Sequence, residues 1–187
     1  KENTIVVFQS DHGHSVESRT FGGGGNSGPY RGAKFSFFEG GIRVPAIIRW
    51  PEKIPAGQVR NQLSISVDWL PTLAEFTGVP LPEYKIDGKS LVDVIQSDSA
   101  KSPHTEFHWM GTGSDPQWAV REGDWKLIGN PRDPTKKTPF NKGDKLFLVD
   151  LSKDIGEKNN LRNTHPIQLK RLEAIHERWL VDLRGSK

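Results

Sequence analysis

Two apolar runs near the start of the chain show almost no polar alternation. They cover residues 4–8 and residues 44–50. The first run has five strand-forming residues without polar alternation, which is typical of a strand buried on both faces, as in parallel sheets covered by helices. Two such strands cannot cover their own edges and faces, so we expect an N-terminal portion outside this sequence to complete the sheet. The polar, glycine-rich stretch from residue 10 to about residue 34 predicts a long loop, which in a compact domain is usually functional or disordered.

Two helices are predicted after the second strand. Over residues 66–77, Ser66 or Asp68 can cap the N-terminus and Gly78 can end the helix. A shorter helix is expected over residues 90–96. The apolar side chains expected on the inner faces are Val67, Leu70, Leu73 and Ala74 in the first helix, and Leu91, Val94 and Ile95 in the second.

The second half of the chain alternates short strands with turns. A small, polar segment over residues 97–103 indicates a boundary, which gives predicted domains 1–98 and 99–187. Glu122-Gly123-Asp124 predicts a hairpin turn. Strands are expected over residues 106–109, 117–121, 125–128 and 146–151, and a helix over residues 166–183. These elements predict an α/β protein that ends in a small antiparallel four-stranded sheet with a C-terminal helix packed on one face.

The last helix has a clear apolar stripe. His165 and His176 flank it or lie on it, and we expect both at the surface. The stripe consists of Leu169, Leu172, Ile175, Trp179, Leu180 and Leu183.

Composition and charge exclude several classes of protein. The 187 residues carry a formal net charge of +3, and the charges are interspersed. A basic stripe with interleaved aromatic residues is missing, which argues against a nucleic-acid partner. No apolar run approaches the ~20 residues of a membrane-spanning helix. The sequence has no cysteine, so disulfides and thiolate metal ligands are excluded within it.

The first candidate for chemistry is Asp11-His12-Gly13, which directly follows the first predicted strand. Ligands of parallel α/β sheets collect at the carboxyl ends of strands. A carboxylate and an imidazole side by side can both bind a metal ion. The alternative is an Asp that closes a turn beside a surface His.

Further motifs follow in a fixed order. Gly32-Ala33-Lys34 precedes Glu39-Gly40-Gly41-Ile42-Arg43-Val44-Pro45, and Val67-Asp68-Trp69-Leu70-Pro71 comes later. Val120-Arg121-Glu122-Gly123-Asp124-Trp125-Lys126-Leu127 and Leu146-Phe147-Leu148-Val149-Asp150-Leu151 complete the series. In this order the motifs resemble the C-terminal half of type I sulfatases, within the alkaline-phosphatase-like superfamily. The resemblance implies that residues 1–98 are the C-terminal part of the α/β catalytic domain and that residues 99–187 are its small C-terminal subdomain.

The resemblance also implies an activity and a set of site residues. The complete protein is expected to hydrolyse sulfate monoesters, with a sulfated glycan or another sulfate ester as substrate. Asp11 and His12 are expected to bind Ca²⁺, and Lys34 to contact and stabilise the sulfate. His14 is a candidate for protonating the leaving alcohol, since the pKa of an imidazole suits that task. His108 is a candidate substrate-binding residue at the start of the small subdomain.

The nucleophile implied by the resemblance is a formylglycine made from Cys or Ser in a Cys/Ser-x-Pro-x-Arg motif. The local approximation, residues 15–19, has Glu17 where Pro is expected. We therefore expect the nucleophile in an absent N-terminal portion, and the isolated chain to be inactive. By the same resemblance, the full protein is expected to be periplasmic or secreted.

Two alternative functions remain open. One is a related hydrolase of phosphate or phosphonate esters, because such enzymes share Asp-His-Gly after a strand. The other is a non-catalytic module that binds sulfated glycans and retains Lys34 without a working metal site.

Overall fold

The computed structural model describes residues 2–137, 141 and 143–185. The chain forms two compact units. The first comprises Lys1–Phe8 and Ile47–Thr105, and the second comprises Gln9–Ala46 and Glu106–Lys187. Residues 9–46 thus belong with the C-terminal part of the chain, and the predicted division into 1–98 and 99–187 stays a prediction.

The predicted mixed α/β fold with a small antiparallel sheet and a C-terminal helix is confirmed. Strands β1 and β2 pair with each other, and β3 to β6 form a separate sheet. The strands are β1 (Val6–Gln9), β2 (Ala46–Arg49), β3 (Glu106–Met110), β4 (Trp118–Glu122), β5 (Trp125–Gly129) and β6 (Leu146–Asp150). The helices are α1 (Glu39–Ile42), α2 (Trp69–Thr77), α3 (Val92–Gln96) and α4 (Pro166–Gly185), with single 3₁₀ turns at Ser18–Thr20 and Ser66–Asp68.

The expected burial of the first strand on both faces is wrong for this chain, and the second strand also has an exposed face. Val6, Phe8 and Ile47 are 49%, 61% and 60% exposed. Ile5 and Ile48 instead pack against the core of the first unit. A two-stranded sheet covers only one of its faces here, and an apolar run without alternation does not reveal which face that is. The core of the first unit consists of Trp50, Phe76, Leu91, Val92 and Ile95.

Helix α2 ends as predicted, and of its expected inner face only Ala74 is buried. Gly78 ends it with a left-handed φ of 73°, as expected for a glycine after the last turn. Val67 and Leu70 are exposed, whereas Asp68 and Thr72 are fully buried. The helix is oriented by polar contacts, because the backbone N–H groups of residues 65 and 89 donate to the Asp68 carboxylate. The other buried residues of α2 are Pro71, Ala74 and Phe76.

The four-stranded sheet of the second unit has apolar layers on both faces. Strands β3 to β6 are each antiparallel to the next, and the predicted hairpin turn joins β4 to β5. Alternate residues point to opposite faces. On one face Val120, Leu127 and Leu148 pack against Leu172 and Ile175 of α4. On the other face the cluster is Phe38, Ala119, Ile128, Phe147, Val149 and Leu151.

Helix α1 was not predicted. It spans four residues, Glu39–Ile42, and follows Phe38, whose side chain is fully buried in the second unit. Within the described ranges, none of the helices is both long and apolar enough to cross a membrane.

Candidate functional site

Asp11 and His12 lie in the loop directly after β1. The backbone N–H of Ser10 donates to the Pro45 carbonyl at 3.3 Å, and the Ser10 hydroxyl donates to the His12 carbonyl at 2.8 Å. Gly13 then donates its N–H to the Gly41 carbonyl at 2.9 Å. The loop is thus fixed at its start and end, while the side chain of Asp11 is 83% exposed.

Gly13 is required by close backbone packing against α1. A Cβ atom at residue 13 would lie 1.9 Å from the carbonyl oxygen of Gly40, and one at Gly41 would lie 2.1 Å from that of Ser36. Neither approach is possible for a residue with a side chain. The glycines that follow Glu39 and His12 therefore bring two segments of the second unit together and place the Asp11–His12 pair.

The two ring nitrogens of His12 have different partners. Nδ1 lies 2.8 Å from the carbonyl oxygen of Gly13, and since a carbonyl only accepts, Nδ1 carries the proton. Nε2 lies 3.1 Å from Oδ2 of Asp11. In the neutral ring, a lone pair on Nε2 therefore faces a carboxylate oxygen. A metal ion bound by both groups would satisfy the lone pair and the carboxylate oxygen at once.

The donor set suits a divalent cation but is small. Asp11 offers hard carboxylate oxygens of the kind that Ca²⁺ prefers, and His12 offers one nitrogen. Among residues 2–137, 141 and 143–185, no three or more His, Cys, Asp or Glu side chains cluster in a way that could hold a metal. The pair fits part of a cation site rather than a full coordination shell.

Lys34 is connected to the same loop. Its backbone N–H donates to the His14 carbonyl at 2.9 Å, and its Nζ lies 3.1 Å from Oε2 of Glu17. Glu17 also pairs with Arg19 at 2.8 Å. Hydrogen bonds from Arg19 and then from Lys34 lower the pKa of Glu17 below its ordinary value, so the carboxylate that holds Lys34 is ionised near neutral pH. Sequence reasoning considered Glu17 only as a mismatch to the nucleophile motif and missed this contact.

His14 lies between these groups along the chain and is half-buried. Its Nδ1 is buried and has no hydrogen-bond partner within the part of the chain that the structure describes. The structure thus brings Asp11, His12, His14 and Lys34 into one loop system, and their assigned roles stay predictions.

His108 has a different environment on β3. Its ring stacks on Trp179 of α4 with centroids 4.6 Å apart, and its Nε2 lies 3.4 Å from Glu106. Burial lowers the pKa of His108, although Glu106 acts in the opposite direction. The proposed role in substrate binding stays a prediction, and these contacts show a mostly buried side chain.

His176 was expected at the surface, and this is wrong. It is only 4% exposed and stacks on Trp118 with ring centroids 4.0 Å apart. It lies one turn after Leu172 on α4, so the helical period turns it toward the sheet. His165 is exposed as expected.

A buried group of charges joins α1 to the sheet of the second unit. Lys126 on β5 is fully buried, and its Nζ lies 2.8 Å from Glu39 and 3.0 Å from Glu157. Burial alone would raise the pKa of Glu39, but Lys126 and Arg121 outweigh it and the pKa is lowered. For Glu157 burial prevails, and its pKa is raised. Arg43, four residues after Glu39, also pairs with it at 3.6 Å.

Known proteins with similar sequences are sulfatases. The family model described as Sulfatase matches residues 1–79. Human steryl-sulfatase is 42% identical over 112 residues, which cover 57% of this chain and 19% of that protein. Human arylsulfatase A is 35% identical over 174 residues, which cover 86% of this chain and 34% of that protein. The chain thus spans about a third or less of the length of these relatives.

Solved structures agree with the sequence matches. The structure of Ps i-CgsB in complex with k-i-k-neocarrahexaose has a TM-score of 0.76 at 25% identity, over 95% of this chain and 36% of that chain. The structure of BT4656 with its substrate D-glucosamine-2-N,6-O-disulfate has a TM-score of 0.69 at 25% identity, over 98% of this chain and 35% of that chain. A phosphonate monoester hydrolase of Agrobacterium radiobacter, at 21% identity and a TM-score of 0.62, shares the fold.

Fold and comparisons together place the chain in the alkaline-phosphatase-like superfamily. Within that superfamily it belongs to the sulfatase family.

Proposed function

We propose that the protein containing this chain hydrolyses sulfate monoesters of carbohydrates. The observation that carries the proposal is the single loop system formed by Asp11, His12, His14 and Lys34, in which the Lys34 backbone is hydrogen-bonded to His14. It combines a pair of cation ligands with a cationic side chain and an imidazole. A sulfate ester needs such groups, because negative charge builds on its oxygens as the S–O bond breaks.

Asp11 and His12 would hold the cation, for which Ca²⁺ is our choice. The exposed carboxylate of Asp11 and the Nε2 lone pair of His12 are the donors, and the bond from Nδ1 to Gly13 fixes the ring. When bound, Ca²⁺ supplies positive charge that polarises the sulfate. The remaining ligands and the formylglycine nucleophile belong, in this proposal, to parts of the protein outside residues 1–187, so the isolated chain is inactive.

Lys34 would bind the sulfate through its ammonium group. An ammonium carries three donors, so Nζ can keep its contact with Glu17 while it binds an anion. The bond from the Lys34 backbone to His14 holds the two residues side by side. The buried, unpartnered Nδ1 of His14 is a polar atom that a leaving alcohol could use.

The choice of a carbohydrate rests on similar proteins. BT4656 was solved with its substrate D-glucosamine-2-N,6-O-disulfate and Ps i-CgsB with k-i-k-neocarrahexaose. We further propose, from family membership alone, that the full protein acts in the periplasm or after secretion.

The test is a comparison of 4-nitrophenyl sulfate and 4-nitrophenyl phosphate as substrates of the full-length protein. The rates are measured after removal of divalent cations and again after Ca²⁺ is added back. We expect Ca²⁺-dependent hydrolysis with a higher kcat/KM for the sulfate ester. Lys34→Met is expected to reduce kcat/KM for the sulfate ester by about 100-fold or more, as for other groups that stabilise developing charge.

Two other results would contradict the proposal. A higher kcat/KM for the phosphate ester would indicate a phosphate or phosphonate ester hydrolase. Binding of sulfated oligosaccharides without turnover, and without detectable Ca²⁺ binding, would indicate a non-catalytic glycan-binding module.

A further inference from the structure

Lys34 and Phe35 form the tip of a tight turn in the second unit. The backbone N–H of Ser36 donates to the Ala33 carbonyl at 3.0 Å, which closes the turn. Ala33 is fully buried and Ser36 is 2% exposed, whereas Phe35 is 64% exposed. The turn therefore has buried ends and an exposed aromatic ring at its tip.

The backbone at Phe35 is in an unusual conformation. Its φ is 73°. A type II turn requires a positive φ at its third residue, and Gly or Asn normally occupies that position. A bulky residue with a positive φ is a true outlier, and such strain is concentrated at functional sites. Because the ring is exposed, burial in this structure does not offset the strain.

The flanking residues are firmly held. The Lys34 N–H donates to the His14 carbonyl at 2.9 Å, the Ser36 hydroxyl to the Arg132 carbonyl at 2.8 Å, and the Phe37 N–H to the Gln117 side chain at 2.5 Å. These hydrogen bonds hold both sides of the turn in place, and relaxation of Phe35 to an ordinary backbone conformation would break them.

The Phe35 ring lies beside the cationic end of Lys34. Nζ is 5.0 Å from the ring centroid, within the range of a cation–π contact. A sulfate bound to this ammonium would place its organic part within reach of the exposed aromatic face.

We propose that Phe35 is a specificity-determining residue whose ring packs against the sugar ring that carries the sulfate. This inference rests on the proposed function, since it assumes that Lys34 binds the sulfate. A pyranose has a C–H face that can lie flat on an aromatic ring and hydroxyl groups at its rim that stay in water. An exposed aromatic ring next to an ammonium therefore matches a ring that bears an anionic group.

The test uses Phe35→Gly in the full-length protein. Glycine adopts a φ of 73° without strain, so this change removes the ring and should not weaken the fold. Phe21→Gly is the matched control, because Phe21 is fully exposed and also has a positive φ, of 55°. Kinetics are measured with a sulfated monosaccharide, and competition is measured with inorganic sulfate, which has no organic part.

We expect Phe35→Gly to raise the KM for the sugar sulfate about five- to tenfold, a change that corresponds to the binding free energy of one aromatic ring contact. Little change is expected in kcat, in inhibition by inorganic sulfate or in Tm. Phe35→Tyr should restore the KM, and Phe21→Gly should match wild type.

The inference is overturned if wild type hydrolyses the sugar sulfate and Phe35→Gly has the same KM. It is also overturned if inhibition by inorganic sulfate weakens equally, since the ring would then act on Lys34 alone. A wild-type protein that hydrolyses no sulfate ester overturns the proposed function instead, so the two failures are distinguishable.

Discussion

At the scale of single residues, the chemistry depends on how the backbone fixes a few side chains. His12 shows this most clearly, because the Gly13 carbonyl fixes its tautomer and directs Nε2 toward Asp11. The same glycine contacts α1 through its N–H. One short segment therefore sets both the orientation of the ring and the position of the loop.

Asp11→Asn in the full-length protein is expected to weaken Ca²⁺ binding by about 100-fold or more, because it removes the anionic ligand. Isothermal titration of metal-free protein with Ca²⁺ measures this. Asp124→Asn, at an exposed carboxylate, is the control and should bind like wild type. Equal affinities for wild type and Asp11→Asn would contradict the metal assignment.

Gly13→Ala is expected to destabilise the chain by about 1–3 kcal/mol, because its Cβ would overlap the Gly40 carbonyl oxygen and force the segments apart. Gly24→Ala is the control, since a Cβ there meets no atom within 4 Å. Urea unfolding compares the two variants. If they are equally stable, the close approach does not constrain the fold.

The candidate residues could be predicted where the signal is local. Asp11, His12 and Lys34 lie in short motifs with glycines, and such motifs can be recognised in the sequence. The residues that contact these motifs could not be predicted, because Lys126 and Glu157 lie 87 and 118 positions after their partner Glu39 along the chain. A buried lysine in a strand such as β5 has no distinctive sequence pattern.

At the scale of elements, sequence periodicity gave the type of each element more reliably than its inner face. In α2 and the 3₁₀ turn before it, the apolar residues Leu70 and Val67 are exposed, because Thr72 and Asp68 make the buried contacts. In α4 the predicted stripe is confirmed at Leu169, Leu172 and Ile175. His176 is buried beside them, and Leu183, which was expected in the stripe, is 49% exposed. A polar residue that is satisfied or stacked inside the protein cannot be recognised by hydrophobicity alone.

The packing of α4 on the sheet should depend on pH. Burial, and then the neighbouring His108, lowers the pKa of His176 to about 4. The rings around it are His108 on β3, Trp118 on β4 and Trp179 on α4. Glu106 lies 3.4 Å from His108, and Arg178 pairs with Glu106 at 3.0 Å.

Since the unfolded chain takes up the proton more readily, His176 favours the folded state above about pH 6.5. This contribution is lost as the pH falls toward about 4 and amounts to on the order of 2 kcal/mol. His176→Phe keeps a stacked ring without titration. Its free energy of unfolding, from urea titrations at several pH values, should fall less over this range. Parallel pH profiles of wild type and variant would contradict the assignment.

At the scale of the whole molecule, the second unit is assembled from segments far apart in sequence. Residues 9–46 carry the candidate site and Glu39, and residues 106–187 supply Lys126, Arg121 and Glu157. This buried group joins two carboxylates to the Lys126 ammonium and the Arg121 guanidinium. Removal of Lys126 leaves buried carboxylate charge without its closest partner, which is strongly destabilising.

Lys126→Met should therefore lower the free energy of unfolding by about 3–5 kcal/mol. Lys145→Met is the matched control, because Lys145 and its partner Asp115 are both exposed and the loss of such a pair should have no measurable effect. Urea unfolding at neutral pH measures both. A Lys126→Met protein as stable as the control would show that the buried group does not hold the unit together.

Sulfate release by the full-length protein is the decisive measurement of whether Asp11 belongs to a site that hydrolyses sulfate esters. Initial rates on a sulfated monosaccharide with Ca²⁺ present are compared for wild type, Asp11→Asn and Asp124→Asn. We expect release by wild type and Asp124→Asn, and a rate lower by about 1,000-fold or more for Asp11→Asn. Wild-type rates in Asp11→Asn, or no release by any of the three proteins, would contradict this assignment.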